Sequence, residues 1–329
     1  MNTTIRAEGY MQNGNEKNTQ SLPEYLVSNT TLSTPALNFV STSFACSYNE
    51  WKGEISGIIG TYVDKNLAHE QGILKNIGSL WAACEILNNT EILAGIYPSH
   101  IGLESPSSFD CINPSRSIVA DNSPYYQSGI RIRHHSSDEY YSLHVLNGWQ
   151  RSGIDSLGLL PAMGYDYFSR NKSFNYVLSG FFGEIQHHQQ QVFRAYQHIG
   201  GTYHVDDKFT ISGSIDMAFQ EYHDHYAWMI APLLMAQWNI MKSWTINGRM
   251  EYYHDPNALI VSTNNGLSGL GYSFGMDWMP FSQIKVRCEY RVIDEMRNDK
   301  EYEHDASFFG MHLQWFISEF VIGGLKENL

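Results

Sequence analysis

The sequence predicts an all-β fold: a transmembrane up-and-down antiparallel β-barrel of about 16 strands, with 14 as the alternative. Three observations predict it. Polar and apolar residues alternate with a period of two along almost the whole chain, the mark of strands with one face of each kind. The alternating segments mostly run ten to fifteen residues, the length that crosses a bilayer at a tilt. After the second segment the connections alternate short and long, the plan of a barrel with tight turns at one end and loops at the other.

Strands are predicted at 3–12, 37–48, 51–63, 75–87, 91–97, 123–134, 139–149 and 159–169. They continue at 173–184, 190–204, 208–219, 226–240, 243–254, 267–279, 283–294 and 306–318. The pattern is plainest in 283–294. Gln283, Lys285, Arg287, Glu289 and Arg291 share one face, and Ile284, Val286, Cys288, Tyr290 and Val292 share the other. In 243–254, Arg249 and Glu251 oppose Trp244, Ile246, Met250 and Tyr252. In 208–219, Ser212, Ser214 and Asp216 oppose Ile211, Ile215, Met217 and Phe219. Segments 3–12 and 91–97 alternate least, and the count falls to 14 if either fails to pair. No segment carries a competing helical period.

Short turns fall at 49–50, 88–90, 135–138, 170–172, 205–207, 241–242 and 280–282. Long loops fall at 13–36, 64–74, 98–122, 150–158, 255–266 and 295–305. Aromatics gather near strand ends, among them Tyr48, Trp51, Tyr140, Tyr141, Trp149, Tyr226, Trp238, Trp244, Tyr252, Trp278 and Trp315. Interfacial girdles account for that placement. A soluble β-sandwich also alternates, but its strands average five or six residues around a dry core. Nothing in the composition marks a linker, so residues 1–329 are expected to form a single barrel domain.

Aromatics make up 14% of the 329 residues, which excludes a disordered chain. The net charge of -13 excludes non-specific nucleic-acid binding, which draws on Lys and Arg. Cys46, Cys84, Cys111 and Cys288 lie too far apart in sequence for a zinc finger or redox pair. Residues 1–16 lack a secretory pattern, and a leader is expected to have been removed before this numbering begins.

Three runs go beyond pattern: GIYPSHIGLE at 95–104, SRSIVADNSPYYQSGIR at 115–131 and LNGWQR at 146–151. Together they closely resemble the OmpL-like β-barrel porin family of Gram-negative outer membranes. Gly60-Thr61-Tyr62, Leu74-Lys75-Asn76-Ile77 and Glu251-Tyr252-Tyr253 also fit its pattern. The resemblance covers most of the chain. It implies an outer-membrane barrel acting as a porin and says little about the solute. Such barrels typically end on an aromatic. Phe316 fits that place, but the chain continues, so 319–329 reads as a C-terminal extension.

In sixteen-strand porins the third outward loop narrows the pore, and 98–122 occupies that position. It is expected to fold inward as the constriction loop, carrying His100, Glu104, Asp110, Arg116 and Asp121, with His100 as a hydrogen-bonding anchor. The lumen wall is expected to carry Arg131, Arg133, Arg249, Glu251, Lys285, Arg287, Glu289 and Arg291, because a charge facing hydrocarbon is costly. An acidic loop opposite a basic wall would set a transverse field. The same residues could instead pair to pack the interior, and both readings stay open. Acids such as Glu221, Asp224, Glu295, Asp299, Glu301, Glu303 and Asp305 fall in loops and mostly keep them solvated, which leaves the selectivity sign open.

His134-His135, His187-His188 and His223-Asp224-His225 invite a metal, but each lies at a turn or loop without a completing ligand, so no metal or cofactor is expected. No Gly-x-Ser-x-Gly elbow or nucleotide-binding loop appears, so no enzyme activity is expected. The reading is a passive outer-membrane porin for small hydrophilic solutes or ions, with Ser212, Ser214, Gly271, Ser273 and Gly275 leaving room inside. The alternative is a plugged barrel that serves an outer-membrane complex, suggested by bulky inward candidates Met229, Leu233, Met235 and Phe316. The expected partners are outer-membrane lipid, the solutes themselves, and a homo-oligomer or other outer-membrane proteins.

Overall fold

The computed structural model describes residues 2–16, 22–152, 161–187, 190–222, 225–261, 263, 266–297 and 301–318. Sixteen strands close into one antiparallel barrel. They are β1 (Asn2–Glu16), β2 (Ala36–Tyr48), β3 (Trp51–Ile59), β4 (Ile77–Leu87), β5 (Thr90–Pro98), β6 (Tyr126–His135), β7 (Glu139–Leu146) and β8 (Ala162–Arg170). The second half comprises β9 (Phe174–His187), β10 (Gln190–His204), β11 (Phe209–Glu221), β12 (Tyr226–Met241), β13 (Trp244–Asp255), β14 (Leu267–Phe281), β15 (Ile284–Arg297) and β16 (Glu301–Ser318). Every strand pairs with its chain neighbours, and β1 closes the ring against β16 from Thr4↔Ser318 to Glu16↔Ala306. Closure leaves no open sheet edge, so the main-chain ladder of the wall continues around the whole ring. The weakly alternating β1 and β5 both pair fully, which settles the count at sixteen.

The alternation sorts the side chains as elementary chemistry demands. Phe219, Met217 and Ile215 of β11 face outward, while Gln220, Asp216, Ser214 and Ser212 are buried in the lumen. Two of the aromatics read as girdle residues lie inside instead. Tyr140 stacks on Phe168 with the Arg133 guanidinium over its ring at 3.9 Å. Trp149 packs on Phe181 and Tyr196. Tyr140 sits on the lumen parity of β7, and Trp149 belongs to a loop that turns back into the barrel.

Departures from the predicted strands fall where loops fold inward. The segment 51–63 is strand only to Ile59, and α1 (Thr61–Asn66) follows. Tyr62 and Val63 pack with Phe39 and Tyr125, so tertiary burial overrides the β propensity of this short run. The loop expected at 98–122 contains α2 (Ile118–Asn122), whose first turn is capped by Ser117. The strand expected from 123 starts at Tyr126, and the one expected to end at 149 ends at Leu146. By the plan of outer-membrane barrels the short turns face the periplasm and the long loops the exterior. The loops used below are L1 (17–35), L2 (60–76), L3 (99–125), L4 (147–161) and L7 (256–266). The C-terminal extension 319–329 lies outside the described residues, as do the side chains of Asp299, Glu301, Glu303 and Asp305.

Candidate functional site

L3 crosses the lumen and is tied to the far wall by buried charge. In the closed ring β13 lies eight strands and β15 six strands from β5, where the loop begins. Arg249 of β13 donates to Ser115 O at 2.6 Å and to Ser115 Oγ at 2.9 Å. Glu289 of β15 accepts from Ser115 N at 2.8 Å, and Glu251 of β13 accepts from Ile118 N at 2.6 Å. Arg291 donates to Arg116 O at 2.9 Å and to Glu251 at 2.6 Å. Arg287 donates to Ser108 O at 2.5 Å and Ile112 O at 2.6 Å. Its remaining edge forms a two-bond fork with Asp277, both bonds 2.8 Å. Arg287 and Arg291 are each only 1% exposed. A backbone segment at membrane depth must have its polar groups satisfied, and these side chains do so.

The loop tip and return leg are held as firmly. Glu8 of β1 accepts from Ser107 Oγ at 2.8 Å and from Phe109 N at 3.3 Å. Lys285 donates to Phe109 O at 2.7 Å and lies over that ring, which packs on Phe316. Asp110 pairs with Arg6 at 3.1 Å and is more exposed to the lumen than the other loop acids. Glu104 turns back on its own loop, accepting from Ser117 N at 3.2 Å, with Arg249 at 4.0 Å. Asp121 accepts from Val27 N and Ser28 N of L1 at 2.9 and 3.1 Å. Arg116 donates to Tyr62 Oη and Ala120 O at 2.9 and 2.6 Å. His100 meets Gly180 O at 3.0 Å and stacks on His144, whose Nε2 lies 2.6 Å from Asp166.

The arrangement corrects the picture of an acidic loop facing a basic wall across a gap. Arg249, Arg287 and Arg291 touch the loop, and their charges are spent on its carbonyls and on neighbouring acids. Gly271 and Gly275 do not leave room for water. A Cβ at Gly271 would meet Glu251 at 2.7 Å, and one at Gly275 would meet Asn247 at 2.4 Å, so they leave room for side chains that hold the loop. Apart from Lys285 and the Arg6–Asp110 pair, the charges still open to the lumen among the described residues lie on the other wall. There Lys52 and Arg131 share Glu91 at 2.9 and 3.2 Å, and Arg133 shares Asp166 with His144.

Alternation alone could have found Glu8 and Asp277, the lumen-facing acids of β1 and β14. Asp277 is directly paired in register with Arg287. What Tyr62 and Ser107 bond to was not legible in the sequence, because it depends on where inward loops meet. Of the histidine groups, His134 bonds Thr90 at 2.9 Å, while His188, His223 and Asp224 lie outside the described residues. Among the described residues no cluster of three metal-ligating side chains occurs.

The family model for "Putative beta-barrel porin-2, OmpL-like" matches residues 7–314. The chain belongs to this porin family. It is an outer-membrane protein, a porin-like barrel built as a passive diffusion channel. No curated protein matches the porin in sequence. Its fold is similar to OmpT of Vibrio cholerae, with a TM-score of 0.62 at 9% identity, covering 96% of this chain and 97% of that one. The outer-membrane channel DcaP of Acinetobacter baumannii gives 0.61 at 11% identity, covering 96% of each chain. An anion-selective porin from Comamonas acidovorans gives 0.61 at 8% identity, covering 96% of this porin and 99% of that one.

The runs that carried the family resemblance have structural work in common. They supply His100, Glu104, Arg116, Asp121 and the L4 residue Gln150, all of which fix L3 or its exit. Gln150 also accepts from Tyr125 N, where L3 re-enters the wall.

Proposed function

We propose that the barrel passes small hydrophilic solutes and ions with a modest preference for anions, and that L3 sets its narrowest section. The observation that carries this is the burial of wall charge under L3. Arg249, Glu251, Arg287, Glu289 and Arg291 are neutralised in place, so they position the loop instead of facing solute. The net charge of -13 is therefore a poor guide to the pore. On the open wall Lys52, Arg131 and Arg133 stand against Glu54, Glu91 and Asp166, so that wall is balanced, and the positive excess is that of Lys285, whose ammonium donates to Phe109 O. The solute size is small because the loops fill much of the outer half. Leu259 and Val261 of L7 pack inside with Met229, Leu233, Phe181 and Tyr196.

We further propose that the porin self-associates through the outward face of β1–β7. At the extracellular end this face presents Met11, Leu37, Ile59 and Val145, whereas β9–β16 present Phe182, Phe219, Trp228 and Tyr272. A lipid interface favours an aromatic girdle. Among the described residues that girdle runs along only half of the ring, and a second copy covering the other half accounts for the gap.

A second reading rests on the same apolar filling: a closed barrel that acts through a partner. Planar-bilayer recordings of the refolded protein in a salt gradient separate the two. Stable open steps with an anion-side reversal potential are expected. A heat-modifiable barrel that inserts and never conducts would favour the closed reading, and a cation-side potential would overturn the selectivity.

A further inference from the structure

A cleft of about 690 Å³ opens at the periplasmic mouth, lined by residues of β12–β15, the β12–β13 turn and the β10–β11 turn. It lies beside the L3 tip, because Lys285 in its lining also holds Phe109. Its floor is a row of amide and hydroxyl groups. Asn239 Oδ1 accepts from Gln237 Nε2 at 3.3 Å and from Thr245 Oγ1 at 2.9 Å, which fixes the three side chains together. One end of the row is cationic. Lys285 donates one N–H to Phe109 O at 2.7 Å, and an ammonium has three to give. Asp277 does not neutralise it, since both carboxylate oxygens are taken by Arg287. Three lysines, Lys208, Lys242 and Lys285, thus stand against Asp207 in an otherwise acidic chain.

We propose that this cleft binds polyhydroxylated carboxylates, the sugar acids, with the carboxylate at Lys285 and the hydroxyls along Gln237, Asn239 and Thr245. The chemistry needs both halves. A neutral polyol would satisfy only the amide row, and a simple fatty carboxylate only the ammonium. Convergent polar groups in a concave site give this kind of discrimination. The proposal rests on the channel reading, for it makes the cleft a subsite on the solute's path.

The test is titration calorimetry of the full-length protein refolded in detergent, with gluconate, mannitol and hexanoate as probes, followed by gluconate block of single-channel current. Gluconate should bind at least about tenfold more tightly than either control, a gap of about 1.4 kcal/mol. Lys285→Gln should remove about tenfold of that affinity. Asn239→Leu, which spares the L3 contact of Lys285, should do the same if the first variant does not refold. Equal binding of all three probes, or none of gluconate, overturns the proposal whether or not the barrel conducts. Gluconate binding to a protein that never conducts would leave the cleft standing and sink the channel reading instead.

Discussion

At the scale of single residues, the site depends on arginines that are buried because a loop needs their donors. Removing one partner of a buried ionic network leaves the rest uncompensated, a loss of about 3–5 kcal/mol in soluble cores. Arg291→Met strips Glu251 and Arg116 O of a donor each. It should lower the temperature at which the heat-modifiable band converts on gels, well beyond the change from Lys52→Met in an exposed pair. Equal shifts would show that the L3 anchors are dispensable. A backbone counterpart lies at Gly129, which pairs with Gly95 in register; both have positive φ. A Cβ at Gly129 would sit 2.1 Å from Val145 O. Gly129→Ala should block refolding, since backbone strain alone costs about 1–3 kcal/mol before the clash. Gly248→Ala meets its nearest neighbour at 3.4 Å and should refold normally.

At the scale of elements, L2 and L4 are stapled by Glu70. Its carboxylate accepts from Ser152 N at 2.9 Å, from Ser152 Oγ at 2.5 Å and from Tyr126 Oη. Partial burial alone would raise its pKa, but these hydrogen bonds outweigh it and hold the carboxyl below its ordinary value. A depressed folded-state value means that the staple contributes stability above the ordinary carboxylate range and loses it as pH falls through the lowered value. The protection factor of the Ser152 amide, its exchange rate set against intrinsic exchange at the same pH, should therefore fall on acidification. Glu70→Gln should show a lower protection factor than wild type at neutral pH and one almost insensitive to the same drop. Unchanged exchange in that variant would remove Glu70 from the staple.

How far the sequence could be read also differs by element. The strands β11, β13 and β15 were legible because one face meets hydrocarbon and the other meets polar lumen, and a period of two records that contrast directly. The lumen placement of Arg287 and Arg291 followed from the same parity. What Arg287 does was not legible, because its partners Ser108 and Ile112 lie over 170 positions away on a loop with no period. The inward turn of Trp149 and the helix at Tyr62 were hidden for a related reason. Loop residues that bury themselves inside a barrel obey packing with distant neighbours, and an aromatic there looks the same as one at the membrane surface.

At the scale of the whole molecule, two halves of the wall do different work. The half from β9 to β16 carries the extracellular aromatic belt outside and most of the L3 anchors inside. The half from β1 to β7 has an aromatic-poor outer face at that end and the open charges of Lys52, Arg131 and Arg133 within. If a second copy covers the first half, Ala94→Trp should lower the oligomer mass measured in mild detergent, and Leu234→Trp on the opposite face should not. The two variants behaving alike would place lipid, not protein, against β1–β7.

The most direct measurement compares single-channel conductance of the wild-type protein with that of Arg287→Ala/Arg291→Ala, both checked for heat-modifiable folding. If buried charge holds L3 across the pore, the wild type gives small uniform steps and the folded double variant gives larger, noisier ones. Identical steps from both proteins would contradict the claim that these anchors define the channel.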